Sequence, residues 1–171
     1  MPTNSSIEIC PADPSWATAF ALIADELAAE LRHDVRIEHI GSTAVSGLAA
    51  KPVIDVLVGV ARADNVVIAA ESLLRLGFAP GEASGLSVPS AFFARPSRGV
   101  TPPINLHLTL AGSRQWDDLI RFRAALQGDP ALAVRYEALK RRLAAASGGD
   151  LDAYTAGKTA FVAAVLEAAH G

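Results

Sequence analysis

Apolar residues recur at spacings of three and four in some windows and at every second position in others, so the chain mixes helices and strands. In "DPSWATAFALIADELAAEL", Trp16, Phe20, Ile23, Leu27 and Leu31 share one helical face, with Asp13 as N-cap and Pro14 at the first helical position. "VRIEHI" predicts a short strand, and the small residues from Gly41 to Ala50 leave room for little more than one helical turn. Pro52 to Val60 is nearly continuous Val, Ile and Leu, the pattern of a central strand covered on both faces. A single acid, Asp55, interrupts it. Residues 65–76 predict a helix ended by Gly77 in a left-handed cap. The stretch 78–101 is punctuated by Pro and Gly, with a strand at "SAFFAR".

"INLHLTL", residues 104–110, alternates cleanly. Ile104, Leu106, Leu108 and Leu110 form its apolar face, with Asn105, His107 and Thr109 opposite. From Ser113 the period turns helical. "SRQWDDLIRFRAAL" predicts one helix, and Asp129-Pro130 caps a second striped by Leu132, Tyr136, Leu139 and Leu143. Asp150 caps a third that carries Tyr154, Lys158, Phe161 and Val165 at spacings of four, three and four. The expectation is an α/β (α+β) chain: a small mixed sheet flanked by helices, then a helical C-terminal half. It reads as a single domain over 1–171, with the sheet-bearing part at about 1–112 and the helical part at about 113–171.

Composition narrows the function classes. Half the residues are apolar and 19% are charged, as in a globular domain. The net charge of −3 provides no general field for nucleic acid or an anionic membrane, so any anion site must be local. Cys10 is the only cysteine, which excludes an internal disulfide and a thiolate zinc cluster. No basic, apolar leader opens the sequence and no apolar run is long enough to span a membrane, so the expected location is cytoplasmic. The Asn4-Ser5-Ser6 sequon then carries no meaning.

Common nucleotide motifs are absent. Gly41 to Gly47 is followed by Leu48, which rules out a Walker loop, and neither G-x-G-x-x-G nor G-x-S-x-G occurs. A strand leading into Gly41-Ser42, then a strand bearing Asp55, is the informative arrangement. Unpaired amides at such a turn can cradle a phosphate, and an acid on the next strand is placed to hold a bridging metal. Asp55 can instead lock the turn, and Ser42 can simply cap the segment after it. His107 sits on a polar strand face, whereas Glu38 and His39 point to opposite faces of theirs. Lys51 stands at the entry to the Asp55 strand, and Tyr154 and Lys158 are i, i+4 neighbours where a lysine is out of place unless it faces a cleft. Arg95 and Arg98 read as exposed arginines, with a mobile anion clamp as the functional alternative. His33, His170 and Cys10 read as ordinary residues.

"RIEHIGSTAVSGLAAKPVIDVLVGV" resembles the signature of the GrpB family, a branch of the nucleotidyltransferase-like superfamily. The resemblance extends through "DPSWATAFALIADEL", "NLHLTL", "FRAALQGDPALAVRYEALK" and "AYTAGKTAFV". It implies a nucleotidyltransferase-like fold. It also implies a site in which Gly41, Ser42, Lys51, Tyr154 and Lys158 bind a nucleotide while Asp55 and His107 act as catalytic and metal-ligating residues. The implied cofactor is a divalent metal, magnesium or manganese before zinc, with no organic cofactor. The superfamily motif continues as acid-x-acid with a third acid on a later strand, but here position 57 is Leu57 and the later strand offers Asn105 and His107. Two functions follow. One is metal-dependent nucleotidyl transfer to an acceptor; the other is a non-catalytic module for a nucleotide or coenzyme A-related phosphometabolite, since relatives occur fused to dephospho-CoA kinase. A purely structural role fits the Asp55 strand worst.

Overall fold

The computed structural model describes residues 7–31, 34–81 and 90–169. The Asn4-Ser5-Ser6 sequon, His33 and His170 lie outside them. Five strands form one mixed sheet in the order β1-β2-β5-β4-β3. These are β1 Val35–Ile40, β2 Ile54–Val60, β3 Ala79–Pro80, β4 Ala91–Arg95 and β5 Ile104–Leu110. β2 and β5 run parallel at the centre, with Asp55 opposite Asn105 and Leu57 opposite His107, and the other pairings are antiparallel. Among the described residues the six α-helices are α1 Ser15–Glu30, α2 Asp64–Arg75, α3 Arg114–Gly128, α4 Pro130–Ala146, α5 Leu151–Ala156 and α6 Thr159–Ala168.

Strand alternation sorts the side chains onto two sheet faces. Val56, Val58 and Val60 of β2 join Ile104, Leu106 and Leu108 of β5 under α1 and α2, where Trp16, Ile23, Leu27 and Leu73 complete the main core. The other face carries Ile40 and Leu57, which pack against Trp116 of α3. β2 is therefore covered on both faces, as its continuous apolar run predicts. A third cluster joins the 41–50 segment to the helical half through Val45, Leu48, Leu126 and Tyr136. Gly77 adopts φ +82° just past α2, as expected of its left-handed cap.

Two expectations are corrected. The predicted last helix is two, α5 and α6, with a break at Gly157-Lys158. A Cβ at Gly157 would lie 3.0 Å from Leu143 Cδ1, so glycine lets this corner close onto α4. Arg95 is neither exposed nor in a mobile clamp. It is only 6% accessible on β4, donates to both Glu26 carboxylate oxygens at 3.0 and 2.7 Å and to the Leu76 carbonyl, and lies over the Phe78 ring. Arg98 is exposed and its backbone bridges to Thr101. No helix among the described residues is long and apolar enough to cross a membrane.

Candidate functional site

β1 ends at Ile40 and the chain turns through Gly41 into a one-turn 3₁₀ helix, Ser42–Ala44. The turn needs glycine twice over. Gly41 has φ +71°, and a Cβ there would meet the Asp55 carboxylate, lying 2.9 Å from its Cβ and Cγ and closer still to Oδ2. The expected neighbourhood of the Gly-Ser turn and the Asp55 carboxylate is thus a direct contact. Asn105, the register partner of Asp55, donates from Nδ2 to Asp55 Oδ1 at 3.1 Å.

Helices of the C-terminal half hold this turn by its backbone. Arg123 donates to the His39 carbonyl at 2.6 Å and pairs with Glu38, while Gln127 donates to the Ala44 carbonyl. Ala49 is gripped from both sides, its N–H donating to Glu137 and its carbonyl accepting from the Lys140 ammonium.

Between the sheet face and α3, α4 and α6 lies a cleft of about 820 Å³. Gly41, Ser42, Asp55, His107 and Lys158 form its polar floor, and Leu119, Phe122, Val162, Ala163 and Leu166 contribute an apolar wall. Burial raises the Asp55 carboxyl above its usual range, while His107, the Asn105 amide, Lys158 and Lys51 act in the opposite direction. Burial lowers the His107 pKa against the pull of Asp55, and its Nδ1 is buried without a hydrogen-bond partner. The ring packs edge-on against Phe92.

Lys51 and Lys158 converge on one aromatic ring, their ammonium groups 5.6 and 4.3 Å from the centroid of buried Tyr154. Burial lowers both lysine pKa values and raises that of Tyr154 to about 12. Tyr136 hydrogen-bonds the Ser42 hydroxyl. Above its ring stands Lys140, 2% accessible and 5.0 Å from the centroid, with a pKa lowered by burial to about 8. Sequence reasoning missed Lys140, buried against the Tyr136 ring that lines the cleft, because "YEALKRR" looks like a solvated helix face. A signal was present: only three of the fifteen basic residues are lysines; Lys158 lines the cleft, and Lys51 and Lys140 lie against the rings of Tyr154 and Tyr136 next to it.

His39 and Glu38 do not join the site. His39 stacks on Phe20 at 4.6 Å on the opposite sheet face and bonds Thr43 at 2.9 Å, and burial lowers its pKa to about 4. Glu38 is engaged with Arg123. Cys10 belongs to a backbone bridge to Ala50.

The donor set does not fit a two-metal centre of the carboxylate kind. Leu57, where the motif has its second acid, is fully buried between Ile40 and Trp116. Asn105 uses its amide to hold Asp55, and no group of three His, Cys, Asp or Glu side chains is placed to hold a metal among the described residues. The groups that surround Asp55 electrostatically include two lysines, Lys158 and Lys51.

Comparisons with known proteins agree with this architecture. The family model described as "GrpB protein" matches residues 6–168. The crystal structure of conserved protein GrpB from Enterococcus faecalis is similar with a TM-score of 0.81 and 30% identity, covering 95% of this chain and 96% of that one. A dephospho-CoA kinase of Mycolicibacterium paratuberculosis is 30% identical over 91% of this chain, which spans 44% of that protein's length. The Cid1 poly(U) polymerase, in a structure with Mg 3'-dATP bound, shares the fold at a TM-score of 0.53 and 15% identity, over 87% of this chain and 49% of that one. With its Gly-Ser turn set directly against the strand-borne Asp55, the chain belongs to the GrpB family.

Proposed function

We propose that the cleft binds a nucleoside triphosphate or a related phosphometabolite, its phosphates lying on the Gly41-Ser42 turn and among Lys51, Lys140 and Lys158. The observation that carries this reading is a cleft with an apolar wall whose floor joins the glycine turn, Asp55 and Lys158, with Lys51 and Lys140 held against the Tyr154 and Tyr136 rings behind it. Such a cleft offers cations to a polyphosphate and a greasy surface to a base or a pantetheine-like tail. The apolar packing of Leu57 favours binding over two-metal transfer.

Nucleotidyl transfer to an acceptor is the second reading, and His107 favours it. An unpartnered imidazole nitrogen beside Asp55 is suited to take a proton from an acceptor hydroxyl. Release of pyrophosphate from a nucleoside triphosphate, abolished in His107→Gln with binding retained, would support that second role.

Binding itself is tested by thermal shift with the four nucleoside triphosphates and with coenzyme A. A ligand at 100 times its dissociation constant adds about 2.7 kcal/mol. In a domain of this size that raises Tm by roughly 5–10 °C. The shift should fall by about half or more in Lys158→Gln. No shift with any of the five compounds refutes the reading.

A further inference from the structure

The lysines supply the argument. Lys158 shares the cleft floor with Asp55, Lys51 meets Lys158 across the Tyr154 ring, Lys140 stands over Tyr136, and none of the chain's three lysines lies within ion-pair distance of an acid among the described residues. Every described ion pair instead uses arginine. The acid nearest Lys140 in sequence, Glu137, is committed to the Ala49 amide and to Arg141. Lys140 is buried, Lys51 and Lys158 are partly so, and Lys158 and Lys51 repel each other. Uncompensated charge in a partly desolvated cleft is costly, and a bound polyanion removes the cost. A divalent cation beside the lone Asp55 would add to the repulsion.

We infer that Lys51, Lys140 and Lys158 do the work of the absent carboxylate-bound metals, so that the cleft takes the triphosphate as a metal-free polyanion. This rests on the reading of the cleft as a polyphosphate site. It predicts that inorganic tripolyphosphate, which has no base or sugar, is itself a ligand. An ammonium-to-phosphate contact is a charge-assisted hydrogen bond, and its loss corresponds to roughly a tenfold to hundredfold weakening.

The experiment is isothermal titration of the full chain with each nucleoside triphosphate and with tripolyphosphate, in EDTA and in magnesium. Binding in EDTA within about threefold of that in magnesium is expected, as is a tenfold or greater loss in Lys51→Gln and in Lys158→Gln. These two side chains are partly exposed, so both variants should fold, which circular dichroism checks. Triphosphate binding seen only with magnesium, or unchanged in both variants, overturns the lysine inference and leaves the nucleotide reading standing. Tripolyphosphate bound in EDTA without any nucleoside triphosphate keeps the inference and refutes the nucleoside. No binding of any compound in either buffer refutes both.

Discussion

Replacing Gly41 by alanine tests the geometry on which the site depends. At φ +71° and ψ −171° the residue occupies a region essentially reserved for glycine, which costs another residue about 1–3 kcal/mol. The new methyl would also press on the Asp55 side chain, within 2.9 Å of its Cβ and Cγ, where no ordinary packing contact exists. Overpacking of that kind adds about 1–3 kcal/mol. Gly41→Ala should therefore lose about 2–6 kcal/mol, a Tm fall of at least about 4 °C. A double-mutant cycle separates the two contributions. In an Asp55→Ala background the methyl keeps only its 2.9 Å approach to the Cβ and loses those to the carboxylate, so Gly41→Ala should cost less than in the parent chain. Chemical denaturation of the four proteins measures this. A single-variant loss below about 1 kcal/mol, or an identical loss in both backgrounds, would show that the turn does not pack on the carboxylate as described.

Further outcomes follow from the same coordinates. His39 has a folded pKa lowered to about 4, so stability should drop as pH falls from the ordinary histidine range toward 4 and level off below it; His39→Phe, which keeps the stack on Phe20, should flatten that slope in pH-dependent denaturation. Arg95→Met leaves Glu26 and the Leu76 carbonyl without their guanidinium and should cost about 2–4 kcal/mol in urea. Triphosphate binding should be unaffected, because Arg95 lies on the sheet face opposite the cleft. Leu57→Asp would restore the motif's second acid but bury it between Ile40 and Trp116, so the variant should be destabilised by about 4 kcal/mol or more. A folded Leu57→Asp protein with new magnesium affinity would contradict the packing account. Lys140→Met removes a charge that burial disfavours but also the donor to the Ala49 carbonyl, so stability should change little while triphosphate binding weakens; binding left intact would reverse the role given to this lysine.

The parts of the fold that sequence revealed are those where one physical rule acts alone. The 104–110 alternation sets β5 residue by residue, and Asp129 and Asp150 accept the N–H bonds of the helices they were expected to cap. Asp13, expected as the N-cap of α1 with Pro14 inside the helix, lies two residues before it: Pro14 takes the cap position, and the Asp13 carboxylate accepts from the Ser15 N–H. What sequence concealed depends on partners distant in the chain. The two-residue β3 exists only because β4 lies beside it. The α5–α6 break keeps the helical spacing of Tyr154, Lys158 and Phe161, and it falls where Gly157 lies close against Leu143 on another helix. Arg95 sits between Pro-rich neighbours, and nothing local signals that Glu26, 69 residues away, will bury it. Of the candidate site, Gly41, Ser42, Asp55, His107 and Lys158 do converge on the cleft, with Lys51 and Tyr154 directly behind Lys158.

The lysines explain why the departures from the superfamily motif are not simple decay. Had the second and third acids been lost from an unused cleft, nothing would keep three lysines there outside any described ion pair. The folded pKa of Lys140, about 8, means that charging it at neutral pH works against the fold. The sign is the informative part: for a lysine with a depressed folded pKa, stability is lost as pH falls from the ordinary lysine range toward 8, and the deficit persists at every lower pH. The chain nevertheless uses arginine for its described ion pairs and keeps lysine only at the cleft and behind it. A compact, strongly hydrated ammonium suits a site that exchanges water for phosphate oxygens, whereas a planar guanidinium suits a fixed carboxylate. On the polyphosphate reading, Leu57 and the lysines are complementary: the sheet face packs where a metal-binding carboxylate would stand, and Lys51 at the entry to β2 with Lys140 and Lys158 of the helical half would supply the positive charge.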